Sequence, residues 1–139
     1  MIPVPTITTV RITVEVSCPE GTVASLIQVA GSTPTRVSKL RRRYDGSCPE
    51  GWCVASFTSS EGGLDVAAGI MQMIPLAGRL AEHISAVEKA RVVIACIIDL
   101  VDNTPDITLH PEILSRLSAL GVTFSVDMYL WPPSPHSTE

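Results

Sequence analysis

Arg91 to Leu100 reads Arg-Val-Val-Ile-Ala-Cys-Ile-Ile-Asp-Leu, a nearly continuous apolar run rich in Val and Ile. It falls well short of the ~20 residues a membrane span needs, and Asp99 interrupts it. β-branched residues fit a pleated surface, and a run apolar at every position suits a strand covered on both faces. The segment is therefore expected at the middle of a sheet, and the rest of the chain must supply the elements that bury it.

The flanking segments supply them. Between Thr6 and Val16, Ile7, Val10, Ile12, Val14 and Val16 recur mostly at period two, with Arg11, Thr13 and Glu15 between them, which predicts a half-buried strand with an antiparallel partner. Ser17-Cys18-Pro19-Glu20-Gly21 breaks it, and Val23, Leu26, Ile27 and Ala30 then follow at helical spacing up to Gly31, a suitable helix stop. Pro34 makes its surroundings extended, and Arg36 to Arg43 is too basic for core, so an edge strand or an ordered loop is expected there. Trp52, Val54 and Phe57 suggest a short strand ending at Thr58-Ser59-Ser60. Leu64 to Val87 carries the longest helical pattern, with Pro75 inside it predicting a kink or two helices that meet. Ile107 to Leu109 reads as a short extended piece, Pro111 to Leu120 as a helix closed by Gly121, and Val122 to Leu130 as a cleanly alternating strand.

The order is β-α-β-β-α-β-α-β, an α+β domain with a mixed, mainly antiparallel sheet and helices packed on one face. A length of 139 residues, 45% hydrophobic and 17% charged, matches a single domain with a well-filled core, spanning 1–131, before a loose Pro/Ser-rich tail at 132–139. The opening Met-Ile-Pro-Val-Pro lacks the basic and apolar regions of a secretory signal, so a cytoplasmic location is the expectation, without membrane association. Of the three possible pairings of four cysteines (Cys18, Cys48, Cys53, Cys96), none is then expected, because a reducing compartment keeps thiols free.

Charge is unevenly placed. Arg36, Lys39, Arg41, Arg42 and Arg43 hold five of the ten basic residues, while the whole chain carries −4. Such a strip can hold an anion or an acidic surface, or can simply guard a sheet edge against aggregation. The acidic balance speaks against nucleic acid, although Tyr44 and Trp52 lie close enough in sequence to stack on a base. Asp99, Asp102 and Asp106 form an opposite pole around a strand end and its loop.

Ser-Cys-Pro-Glu-Gly occurs twice, at Ser17 to Gly21 and at Ser47 to Gly51. If both turns met, Cys18, Cys48, Cys53 and a histidine could hold zinc, but Cys-x-x-Cys spacing is missing and the pentapeptide is good turn chemistry in itself. No metal or other cofactor is expected. Cys96 reads as a packed core thiol. His83, His110 and His136 form no ligand or catalytic pattern, and neither a Gly-x-Ser-x-Gly elbow nor a phosphate loop is found, so no catalytic residue is assigned and an enzyme is not expected.

Thr33-Pro34-Thr35-Arg36-Val37, Gly51-Trp52, and the stretch from Leu109-His110-Pro111-Glu112-Ile113-Leu114 through Ala119-Leu120-Gly121-Val122 to Asp127-Met128-Tyr129 together resemble the bacterial family called domain of unknown function 4279. The likeness spans roughly Ile7 to Tyr129 and is most specific in its second half. Ser38 to Arg43 departs from it, standing where a Lys-Gly-Asp turn is the family pattern. The resemblance implies a small bacterial cytoplasmic protein and carries no known activity.

Small acidic domains of this kind often act as immunity proteins that mask a toxin through charged surface and aromatic anchors. The expected function is accordingly a non-enzymatic protein-binding module, with Trp52 and Tyr44 as anchors, the basic strip, and the carboxylates at the other pole. The alternatives are a small-molecule or anion-binding domain built around the arginines, and a structural homodimer joined through an exposed strand edge.

Overall fold

The computed structural model describes residues 4–40, 46–47, 50–58 and 63–132. Five strands form one sheet: β1 (Thr9–Pro19), β2 (Arg36–Lys39), β3 (Trp52–Thr58), β4 (Arg91–Leu100) and β5 (Thr123–Leu130), in the order β2-β3-β1-β4-β5. All neighbours are antiparallel except β4 and β5, which run parallel across a helical crossover. Helices α1 (Val23–Ala30), α2 (Val66–Ile84) and α3 (Pro111–Leu120) pack on one face and share a single apolar cluster with it. The element order and the mixed sheet are those expected from sequence.

Two expectations need correction. β1, not β4, is the middle strand. Nor is β4 covered by helices on both faces: Val92, Ile94, Cys96 and Ile98 are sealed under them, while Val93 and Ile97 on the other face are half-buried. A nearly continuous apolar run thus serves a one-sided sheet. Second, of the two outcomes expected at Pro75, the pair of separate helices is not found: α2 is one helix of 19 residues with the proline inside it. Proline removes one backbone hydrogen bond there, and packing of Ile70, Met73, Ala77 and Leu80 into the core outweighs the loss.

Local chemistry sets the ends of the elements. The Asp65 carboxylate accepts the Ala68 N–H at 3.2 Å and caps α2. Pro111 opens α3, and Gly31 and Gly121, at φ of 74° and 69°, close α1 and α3 in the left-handed region that glycine adopts without strain. α2 presses onto the middle strand at Gly69, where an added Cβ would lie 2.7 Å from the Ile12 side chain. β1 begins and ends three residues later than the alternation predicts, because Cys18 continues the buried row opposite Cys53. Ile107 to Leu109 forms no strand; the isolated bridge in this loop joins Asp65 to Asp106.

Candidate functional site

Alternation along five strands leaves one sheet face without helices among the described residues. Thr9, Arg11, Thr13, Glu15 and Ser17 line its centre on β1, because Val10, Ile12, Val14, Val16 and Cys18 point into the core. Register then places Arg36 beside Ser56 on one side of this strand, and Asp127 beside Ile97 on the other.

Glu15 is the electrostatic centre of the face. Partial burial pushes its carboxyl above the ordinary carboxylate value, and repulsion from Asp127 pushes it further. The Ser56 hydroxyl, donating across 3.5 Å, and the Arg36 cation pull it back. Next to Glu15, Thr13 is only 4% exposed, and its hydroxyl has no partner among the described residues. It lies between Thr58 and Ala95 in a row of small side chains that Ser125 continues. At the β4 end of the face, Asp99 accepts the Trp131 indole N–H at 2.8 Å and the Thr9 hydroxyl at 3.4 Å.

The residues singled out in the sequence separate in space. Arg36, Trp52 and Asp99 occupy the uncovered face. Lys39 pairs with Cys53 on the opposite side, where it borders a surface cavity of about 330 Å³ shared with Glu20, Val23, Val37, Ser38 and Cys53. Asp102 accepts the Thr8 N–H at 2.9 Å, and the Thr8 hydroxyl accepts the N–H groups of Val101 and Asp102, a clasp that pulls the Asp102 carboxyl below its ordinary value. Asp106 accepts the Thr108 N–H at 2.9 Å and is lowered in the same way. These two carboxylates hold the loop after β4. Arg41, Arg42, Arg43 and Tyr44 lie outside the described residues, as does the tail beyond Pro132.

The two Ser-Cys-Pro-Glu-Gly copies do meet, through a 2.7 Å bond from the Glu20 N–H to the Gly51 carbonyl. The thiol opposite Cys18 is Cys53; Cys48 lies outside the described residues. Cys18, Cys53 and Cys96 are free and buried. Burial pushes the Cys18 thiol up to about 12 and the Cys96 thiol up to about 11. Among the described residues no three His, Cys, Asp or Glu side chains converge as metal ligands, and no helix is long and apolar enough to cross a membrane.

Sequence reading missed two arrangements. Glu15, Asp127 and Thr13 were visible only as polar positions in alternating strands; strand order is what assembles them. His83 Nε2 lies 2.8 Å from Ser25 Oγ, joining α2 to α1. The Ser25 hydroxyl also lies 2.8 Å from the Thr22 carbonyl, so one side chain ties the start of α1 to the end of α2.

Residues 16–131 match the family described as Domain of unknown function (DUF4279), and the chain belongs to that family. No curated protein and no solved structure matches it.

Proposed function

We propose that this DUF4279 chain is a non-enzymatic binding module that docks a partner protein across its uncovered sheet face, in the manner of an immunity protein masking a toxin. The observation that carries this reading is a helix-free face bearing Arg11, Arg36, Glu15 and Asp127 among small, half-buried side chains. Trp52 and the exposed Tyr129 stand at its margins as aromatic anchors. Mixed charge on a rigid sheet gives partner selectivity and register, and a few aromatic anchors supply most of the affinity. The half-buried Glu15 carboxyl, raised by burial and by Asp127, is a polar group that a docked surface would satisfy.

Affinity capture of the tagged chain from its native cell, in parallel with Trp52→Ala and Glu15→Lys forms, tests this. A stoichiometric protein held by the wild type and lost from both folded variants supports the reading. A partner retained equally by all three places binding elsewhere. A second reading, a small-anion site, has one specific observation in its favour: the groove where Lys39 meets Ser38 and Cys53. Thermal stabilisation by inorganic phosphate, lost in Lys39→Ala, would support it.

A further inference from the structure

The outer edge of β5 offers an unpaired strand of self-complementary design. Val126, Met128, Tyr129 and Leu130 are 40%, 43%, 55% and 75% exposed, a hydrophobic series on an edge strand with no pairing partner on its outer side among the described residues. Val126, Met128 and Leu130 share one side of the strand with the half-buried Phe124, by alternation from the pairs Ile94–Phe124 and Cys96–Val126. Long apolar edges of this kind invite pairing with another strand.

Backbone direction adds a second constraint. The Trp131 N–H donates to the Leu100 carbonyl at 3.0 Å. Odd-numbered residues of β5 therefore turn their N–H and C=O groups toward β4, and the even-numbered ones, Phe124, Val126, Met128 and Leu130, turn theirs to the open edge. The apolar stripe and the free hydrogen-bonding groups belong to the same four residues.

We infer that β5 pairs antiparallel with β5 of a second copy of this chain, about a two-fold axis at Val126. Antiparallel pairing opposes residues whose backbone groups point the same way, so the axis passes through a residue rather than between two. Two centres keep the greatest overlap of Thr123–Leu130, Val126 and Asp127. An axis at Asp127 sets two aspartates directly opposite at a non-hydrogen-bonded site, where side chains come closest and like charges destabilise. An axis at Val126 sets each Asp127 opposite a Ser125 hydroxyl, each Phe124 opposite Met128, and Val126 opposite itself. A single charge thus selects one register, in which the apolar stripe of the strand opposes its own copy and each Asp127 faces a hydroxyl instead of a second carboxylate. The result is a ten-stranded sheet with both helix layers on the same side. This interface runs along the β5 edge, at the margin of the docking face where Asp127 and Tyr129 stand, and leaves Glu15, Arg36 and Trp52 clear of it.

Light scattering over a concentration series up to the millimolar range tests the inference. Wild type should reach twice its 14.8 kDa mass. Val126→Lys places two cations on the axis and should stay monomeric with an unchanged circular dichroism spectrum. Ser125→Lys faces Asp127 twice and should tighten the dimer roughly fivefold. A strictly monomeric wild type, a Val126→Lys form that still dimerises, or a Ser125→Lys form that dimerises no better than wild type would each overturn the assignment. Loss of the captured partner from Trp52→Ala and Glu15→Lys, with dimerisation intact, separates failure of either reading from failure of the other.

Discussion

The two edges of this sheet follow opposite rules. β2 has four residues, and Arg36 and Lys39 bracket it with positive charge. β5 has eight, of which Asp127 alone is charged, and carries an exposed apolar stripe. Both are edges of one sheet about the same middle strand, so the contrast is written in side chains rather than topology. Charge and brevity close an edge, whereas length and apolar alternation open it to a partner. Between them, Glu15 on β1 is acted on from both sides: Arg36 lowers its pKa and Asp127 raises it.

The largest effect that separates the edges is on stability. Ile98, fully buried between Val10 and Met128, ties β5 to the core; Ile98→Ala should cost about 2–5 kcal/mol by urea titration. Ile98 lies on β4, the interior strand that carries β5, whereas Val37 lies on the edge strand β2 itself; Val37→Ala removes a side chain already 50% exposed and should cost no more than about 1 kcal/mol. Equal costs would mean that β5 is no better anchored than β2.

Next comes an exchange of edge chemistry. In a Val126→Lys background, converting Arg36 and Lys39 to Val removes the positive guard from β2, and concentration-dependent association should return by light scattering. Continued monomeric behaviour would show that brevity alone closes that edge.

Smaller effects appear in the titration of Glu15, followed by NMR. Arg36→Gln should raise its pKa and Asp127→Asn should lower it, each by less than burial contributes, since burial is the leading cause of the shift. The same group gives a pH-dependent stability. Its folded-state value lies above the unfolded one, so its protonated form favours folding at low pH, and that contribution is lost as pH rises through the folded value. Glu15→Gln should therefore raise the thermal midpoint slightly at neutral pH and leave it unchanged in acid below the unfolded carboxylate range.

What the sequence disclosed divides along physical lines. α3 was legible because Pro111 and Gly121 act locally on the backbone, and β5 because Phe124 to Leu130 alternates without interruption. The position of β4 was not, because a nearly continuous apolar run looks alike whether its second face lies under a helix or is half-covered by neighbouring strands. Ser17 and Cys18 read as a turn through the proline that follows them, yet pairing with β3 carries the strand to Pro19. Arg36, Trp52 and Asp99 could be picked out as chemistry-bearing residues one at a time. Their company with Glu15, Thr13 and Asp127 depends on strand order, and strand order arises from contacts between residues far apart in the chain. The clasp between Asp102 and Thr8 spans 94 positions, beyond any local pattern.

Residue-resolved amide exchange by NMR at low and high protein concentration tests the contrast between the edges most directly. Phe124, Val126 and Met128 should gain protection as concentration rises, while Ser125, Asp127 and Tyr129, already bonded to β4, and the β2 segment Arg36–Lys39 should not change. Concentration-independent exchange across β5, or protection that rises at β2 instead, would contradict the account.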